Sequence, residues 1–333
     1  MTHDVSRRRV LAGMTGLAGF SGLSGLGAPD AWAQAAADYP NRPVKVVVPF
    51  APGSVPEAVT RIFTTEFSAR FGQPFVIDHK PGASTNIAAA FVAGAAPDGY
   101  TLLMSNLASN VLNKWTYKRL TYDPDRFQHI GVMATTAFYV VVKADAPYHS
   151  VKELVDAANR SATPFKYGSL GNGGASHLIT ELFREKAGIR ELLHVPYKTG
   201  ASLDLIGGRL DFMVDASVIN QVKSGHLKAL AVATPQRWPT LPDVPTTAEA
   251  GYPDVTMQAI TGLCAPAGTP VAILDKLNQA IRDVGVQPET VRKMHAMHAQ
   301  PMVVSRAEAT EFIRAASEKW RPVIQGLNLS FED

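Results

Sequence analysis

Residues 44–63 read VKVVVPFAPGSVPEAVTRIF. The β-branched run 44–48 stops at Pro49, as expected of a buried strand flanked by turn residues. Pro52-Gly53-Ser54 follows, then a helix with Pro56 in its first turn. Its apolar residues Val59, Ile62, Phe63, Phe67 and Phe71 recur at helical spacing, and Gly72 is its stop. Strand, small-residue loop and helix, in that order, are the repeating unit of an α/β protein.

The unit recurs along the chain. Residues 75–78 read as a strand, followed by Pro81-Gly82-Ala83 and a helix over 86–94. Pro97-Asp98-Gly99 is a turn before a third strand, 101–105. Residues 138–143 read as a strand crossing between domains, and Ser150-x-x-Glu153 is a capping box that opens a helix. Strands are expected at 165–169, 195–197, 211–215 and 229–234, with helices at 176–186 and 202–206. Thr269-Pro270 precedes a helix over 271–283, and Ser305-x-x-Glu308 opens the last long helix. Residues 260–265 read as a return strand; paired with 138–143, it would make the chain cross twice between two lobes. Strands alternating with helices predict parallel sheets covered by helices.

The first 33 residues have the order of an export signal. Arg7-Arg8-Arg9 precedes a weakly apolar run rich in Gly, Ala and Ser, which ends at Ala31-Trp32-Ala33. Ser6-Arg7-Arg8-Arg9-Val10-Leu11 is similar to a twin-arginine signal, with Val where Phe is usual. No stretch reaches about 18 uninterrupted apolar residues, which speaks against a membrane anchor. The expectation is a periplasmic protein cleaved after Ala33. A formal charge of +3 on 333 residues predicts neither nucleic-acid binding nor adhesion to anionic membranes. A single cysteine, Cys264, excludes an internal disulfide, and its apolar neighbours Leu263 and Ala265 point to a buried structural thiol. No cofactor or metal site is expected, and no exposed apolar segment asks for an oligomer, so a monomer is expected.

Three strand–loop–helix junctions share one chemistry: Pro49 to Ser54, Pro81 to Asn86, and Gly168 to Ser176. Each sets small or hydroxylic residues before a helix, whose first N–H groups are unpaired and whose N-terminus is partly positive. A carboxylate can dock there without Lys or Arg. The plain alternative is that Ser54, Ser84 and Ser176 merely cap their helices. Enzyme signatures fail: there is no G-x-S-x-G elbow, no P-loop lysine and no H-E-x-x-H. His177 follows Ser176, but adjacent helical residues point apart, so a packing or hydrogen-bonding role is expected. His295 and His298 read as a solvated helix face. Asp211 is expected to cap the turn after Gly207-Gly208, with Asp215 at the carboxyl end of its strand.

Longer motifs carry a resemblance. Tyr39-Pro40-x-Arg42-Pro43-Val44 with Val48-Pro49-Phe50-Ala51-Pro52-Gly53 is similar to the opening of the Bug or TctC-type receptors. These are the substrate-binding proteins of tripartite tricarboxylate transporters. The match continues through Lys80-Pro81-Gly82-Ala83, Ala96-Pro97-Asp98-Gly99-Tyr100-Thr101-Leu102 and His194-Val195-Pro196-Tyr197-Lys198. It includes Leu241-Pro242-Asp243-Val244-Pro245-Thr246, Glu249-Ala250-Gly251 and Ala265-Pro266-Ala267-Gly268-Thr269-Pro270.

The resemblance implies a type II periplasmic-binding fold: two lobes with mixed, mostly parallel sheets joined by two crossing strands. One lobe is expected at 34–138 plus 263–333 and the other at 139–262. It implies capture of a small organic acid and delivery to membrane transporter subunits of the tripartite tricarboxylate type, without catalysis. A ligand-sensing receptor and an exported enzyme of small-acid metabolism are the competing readings.

On the first lobe the expected ligand contacts are Phe50, Ala51, Ser54, Glu57, Ser84, Thr85, Asn86, Ser105 and Asn106. Ser169, Tyr197, Thr199, Gly200 and Asp215 face them from the second. Two departures from the family pattern matter. Gly53-Ser54-Val55-Pro56-Glu57 stands where Gly-Gly-Gly-Thr-Asp is usual, and Ala83-Ser84-Thr85 where Ala-Gly-Gly is usual. Lost glycines reduce the freedom for positive φ and bring in hydroxyls. A narrower carboxylate end follows, with Val55 beside an apolar or aromatic ligand body and Glu57 repelling a second carboxylate unless it only caps its helix.

Overall fold

The computed structural model describes residues 38–197, 200–327 and 330–331; the export-signal reading lies outside these residues. The first sheet contains β1 (Val44–Val48), β2 (Phe75–His79), β3 (Thr101–Ser105), β4 (Gln128–Ala137), β10 (Gln258–Ala265) and β11 (Gln300–Pro301). Their order across the sheet is β11-β4-β10-β3-β1-β2. The second contains β5 (Tyr139–Lys143), β6 (Phe165–Ser169), β7 (Leu192–Pro196), β8 (Phe212–Asp215) and β9 (Leu227–Val232), in the order β7-β6-β8-β5-β9.

Both sheets are mixed, and the expectation of mostly parallel pairing is corrected. Parallel pairs are confined to β2-β1-β3 and β7-β6-β8, where helices return the chain. The strands at the crossings, β4, β5 and β10, make antiparallel pairs, because there the chain enters its neighbour's sheet without a helical return.

The long strand β4 is absent from the sequence reading. Its burial on both faces removes the alternation that marks a half-buried strand, and Gly131 interrupts its apolar residues. β4, not 138–143, is the partner of the return strand. β10 pairs with it from Gln258↔Ala137 to Ala265↔Gln128 and with β3 on its other side. Residues 258–262 therefore sit in the first sheet, ahead of the expected boundary. The two crossings touch: Ala233 N donates to Phe138 O at 2.8 Å, and Met257 N donates to Ala233 O at 2.9 Å.

The helices follow the sequence signals closely. α1 (Val55–Phe71) buries Val59, Phe63 and Phe67 and ends at Gly72, whose φ of 67° is the left-handed stop expected of glycine. α2 (Asn86–Ala93) covers the same sheet. A π-helical turn, Ala108–Leu112, leads into the short α3 (Asn113–Thr116). The second sheet carries α4 (Val151–Arg160), α5 (Ala175–Lys186), α6 (Ala201–Ile206) and α7 (Ile219–Lys223). α8 (Val271–Gly285) returns Ile273, Leu274, Leu277 and Ile281 to the core of the first sheet, and α9 (Pro288–Ala296) follows. α10 (Arg306–Gly326) starts in a complete Ser305/Glu308 capping box and packs Ile313, Trp320 and Ile324 where both sheets share one apolar cluster.

Three smaller expectations change. His298 lies beyond α9 at φ 62° and contacts Asn220 Oδ1 at 2.9 Å, whereas His295 contacts Gln300, so no shared helix face exists. Asp211 accepts from Lys166 N at 2.6 Å, tying β6 to the start of β8 rather than capping a turn. At α4 the Ser150 side chain accepts from Glu153 N at 3.2 Å, but the Glu153 carboxylate accepts from His149 N. Cys264 is fully buried, and burial pushes its thiol pKa far up against the opposing bonds to Asn110 and Ser105.

Phe212 is fully buried, with ring centroids 6.0 Å from Tyr167 and 6.1 Å from Phe183. Phe212→Ala leaves a cavity among them, and its expected cost is about 3–5 kcal/mol. Urea unfolding followed by far-UV dichroism measures it.

Candidate functional site

β1 and β2 end side by side, with Val48 opposite His79 and Lys80 N donating to Val48 O at 2.9 Å. The first two junctions therefore leave the same edge of the first sheet, and β3, paired to β1 in parallel, ends beside them. The third junction leaves β6 in the second sheet, between the ends of β7 and β8. Tyr197 N donates to Ser169 O at 2.9 Å and holds two of these ends together.

One helical turn links the two sides. Asn113 Nδ2, at the start of α3, donates to Ser84 O at 2.8 Å and to Asn86 Oδ1 at 2.6 Å. Thr116, at its end, lies against Gly173: a Cβ there would stand 3.5 Å from Thr116 Cβ and 2.8 Å from the Phe331 ring. The second and third junctions thus meet opposite ends of α3. The first is tied to the second through Glu57, whose carboxylate lies 3.7 Å from His79 Nε2.

Helix capping does not account for the hydroxyls. Ser54 is the residue before α1, yet its side chain makes no capping bond and its Oγ is buried without a partner. Thr85, not Ser84, precedes α2, again without a side-chain cap and with Oγ1 unpartnered. Gly174 precedes α5, and Ser176 within it donates to Asp215 instead. Around the same strand ends, Asn86 Nδ2, Asn106 Nδ2, Asn113 Oδ1 and Tyr139 OH are also buried without partners. Native structures leave few such groups, at about 1–3 kcal/mol each. Ser54, Thr85, Asn86, Asn106 and Asn113 all follow the carboxyl ends of β1, β2 and β3, and Tyr139 opens β5 in the second sheet.

The second junction is also strained. Ala83, Ser84 and Thr85 have φ of 43°, 47° and 78°. The departure from Ala-Gly-Gly does not straighten the loop: three side chains follow the left-handed path that glycines adopt freely. Each costs on the order of 1 kcal/mol, held by the bond from Asn113 to Ser84 O.

The remaining expected residues fall into groups. Phe50 is half-buried and Ala51 exposed on the first loop, with Val55 37% exposed beside them. Glu57 is buried at 3% exposure, and its carboxylate accepts from Gly53 N at 3.2 Å and from Arg61. Burial alone would raise its pKa; the Gly53 N–H, Arg61 and His79 outweigh that and hold it below the usual carboxylate range. Glu57 is a neutralised clamp on the loop. Ser105 is buried at the end of β3, and Asn106 Oδ1 accepts from Ser109 N at 3.0 Å.

In the second sheet Asp215 is 1% exposed, and its oxygens are taken by Ser176, Ser217 N at 2.7 Å and the Ser217 hydroxyl. It organises two loops. Tyr197 is half-buried and donates to Asp204 at 2.6 Å, Gly200 is exposed ahead of α6, and Thr199 lies outside the described residues.

The sequence did not single out Asn113, Tyr139 or Tyr122, whose hydroxyl donates to Asn86 Oδ1 at 3.0 Å. A signal existed: Asn106, Ser109, Asn110 and Asn113 form a polar stripe at helical spacing after β3, and all four are buried.

His177 packs as expected. Its Nδ1 accepts from Gly173 N at 3.0 Å, and its ring stacks on His194 at 3.9 Å, which stacks on Tyr167 at 4.8 Å. His194 Nε2 lies 2.6 Å from Ser169 Oγ, which donates to Gly171 O. Burial, then the neighbouring His194, lower the His177 pKa to about 4.

These features define a two-sheet α/β ligand-binding protein of the periplasmic-binding type, with its polar site at the carboxyl ends of strands. The family model "Tripartite tricarboxylate transporter family receptor" (TctC) matches residues 59–329, and the chain belongs to that family of substrate-binding receptors. It is 32% identical over 328 residues to the UPF0065 protein in the tcbD-tcbE intergenic region of Pseudomonas sp. (strain P51), covering 96% of this chain and 94% of that one. Among solved structures it resembles R. palustris Rpa4515 with adipate (TM-score 0.79, 32% identity, 86% of this chain and 97% of that one). It also resembles MatC from Rhodopseudomonas palustris with bound malate (TM-score 0.76, 29% identity, 86% and 100%). Among the described residues no helix is long and apolar enough to cross a membrane, and no cluster of side chains is suited to a metal ion.

Two outcomes follow. Thr85→Gly relieves a strained left-handed residue but frees the unfolded chain by a similar amount, so stability is expected to change by less than about 1 kcal/mol while ligand binding weakens, read by urea unfolding and titration. His177 has a folded pKa below its unfolded value, so its contribution is present above about pH 6.5 and is lost as pH falls toward about 4. Urea midpoints over that window are expected to fall less steeply in His177→Gln; His129, also lowered to about 4 by burial, maintains part of the slope.

Proposed function

We propose that this chain is an extracytoplasmic solute-binding protein that captures a small carboxylate between two lobes, one built on each sheet. It delivers that acid to membrane subunits of a tripartite tricarboxylate-type transporter. The lobes follow the division 34–138 with 263–333 and 139–262, except that residues 258–262, paired in the first sheet, belong to the first lobe. Segment 1–33 directs export to the periplasm, by a twin-arginine-like signal, and the protein acts as a monomer without catalysis.

The observation that carries this reading is the group of buried, unpartnered polar atoms at the strand ends: Ser54 Oγ, Thr85 Oγ1, Asn86 Nδ2 and Asn106 Nδ2. All four can donate a hydrogen bond, and all sit on neutral side chains. Carboxylate oxygens accept such bonds at several points, and helix beginnings add partial positive charge. Relatives with adipate and with malate support a carboxylate ligand. Glu57, neutralised by Arg61, presents no free charge to repel it. The ligand body lies toward Phe50 and Val55, a half-buried and an exposed apolar side chain that accept an aromatic or partly apolar acid. Closure by hinge motion at the paired crossings traps the acid and presents the closed form to the transporter.

A thermal-shift screen with mono-, di-, tri- and aromatic carboxylates tests the reading. At a concentration about 100 times its Kd, a ligand stabilises by about 2.7 kcal/mol, a displacement of several degrees. At least one acid is expected to give a saturable rise. No rise with any acid would sink the proposal.

A further inference from the structure

The amide of Asn113 has only one workable orientation. Its Nδ2 donates to the Ser84 carbonyl and to Asn86 Oδ1 at 2.8 and 2.6 Å. A backbone carbonyl can only accept, so turning the amide over would set oxygen against oxygen. Both Nδ2 hydrogens are used, and Oδ1 is left as a fully buried acceptor with no donor. Asn86 is fixed in turn: its Oδ1 receives Asn113 Nδ2 and lies 3.0 Å from Tyr122 OH, which leaves Nδ2 a donor with no acceptor at 6% exposure. Thr85 Oγ1, next in the chain, is a third unpartnered atom.

A carboxylate carries acceptors only, so it can serve Asn86 Nδ2 but never Asn113 Oδ1. An ammonium serves Asn113 Oδ1 and leaves Asn86 Nδ2 bare. A hydroxyl both donates and accepts, and it matches the pair. The geometry points to a hydroxylated acid as the ligand, its hydroxyl seated between Asn86 Nδ2 and Asn113 Oδ1 with Thr85 Oγ1 beside it. Asn113 is then the residue that separates hydroxy acids from their deoxy counterparts. Ser84, bonded to that amide, belongs to the strained left-handed segment 83–85. The inference rests on the carboxylate-receptor reading and narrows it.

Isothermal titration with two matched pairs tests it: malate against succinate, and mandelate against phenylacetate, each pair differing by one hydroxyl. In the unmodified protein the hydroxylated member of at least one pair is expected to bind roughly tenfold tighter or more, because the deoxy acid leaves Asn113 Oδ1 unsatisfied. In Asn113→Ala that ratio is expected to fall to about one. The ratio compares two acids on one preparation, so partial misfolding of the variant does not mimic the result. Equal affinity within both pairs, or a ratio that survives Asn113→Ala, overturns the assignment and leaves the receptor reading intact. Silence from all four acids while another carboxylate binds also overturns it, again without touching that reading. Silence from every carboxylate removes both.

Discussion

The rest of the molecule depends on β10, which is hydrogen-bonded on both sides. It pairs along its whole length with β4 and, through Gly262 to Cys264, with β3. A side chain at Gly262 would stand 2.7 Å from Gly131 O and 2.9 Å from Ser105 Oγ, so the ladder closes only around glycine. By inserting between β3 and β4, strands far earlier in the chain, β10 returns α8 and α10 to the first sheet. It also places its own start, Gln258 opposite Ala137, beside the crossing at Phe138. Both crossings are buried and bonded to each other, so the two sheets are joined through one short double connection.

A second constraint acts at the carboxyl ends of the parallel strands, the same end of the sheets as the crossings. Polar groups there are held in place but not satisfied: Asn113 fixes Ser84 and Asn86, Glu57 fixes Gly53, and Asp215 fixes Ser176 and Ser217. Those anchors use charge and amide groups to position neutral hydroxyls and amides. Unsatisfied donors and left-handed side chains lower stability, and the large apolar cores around Phe63, Phe67, Phe183 and Phe212 offset that cost. A site arranged in this way can discriminate by which hydrogen bonds a ligand completes rather than by net charge.

The small-residue junctions were legible because their chemistry is local: a strand end, a short loop and a helix start are encoded by neighbouring residues. Ser54, Thr85 and Asn86 lie in such junctions and emerge at one end of the first sheet. The tasks of Glu57 and Asp215 were not legible, since a carboxylate beside a loop has the same sequence appearance whether it faces solvent or accepts from Gly53 and Ser176. Asn113 escaped for a related reason. Its stripe with Asn106, Ser109 and Asn110 resembles a solvated helix face until the helix is known to be buried. Strand β4 escaped because two covered faces erase the alternation that identifies a strand.

By itself the sequence determined the α/β class, most helix boundaries and the family, since these rest on periodicity, caps and motifs carried within a few residues. Only tertiary structure decided that β10 lies against β4, that the strands at the crossings pair antiparallel, and that α3 stands between Ser84 and Gly173. Those pairings join residues far apart in the chain, where the energy lies in shared burial and in hydrogen bonds whose partners no local pattern names.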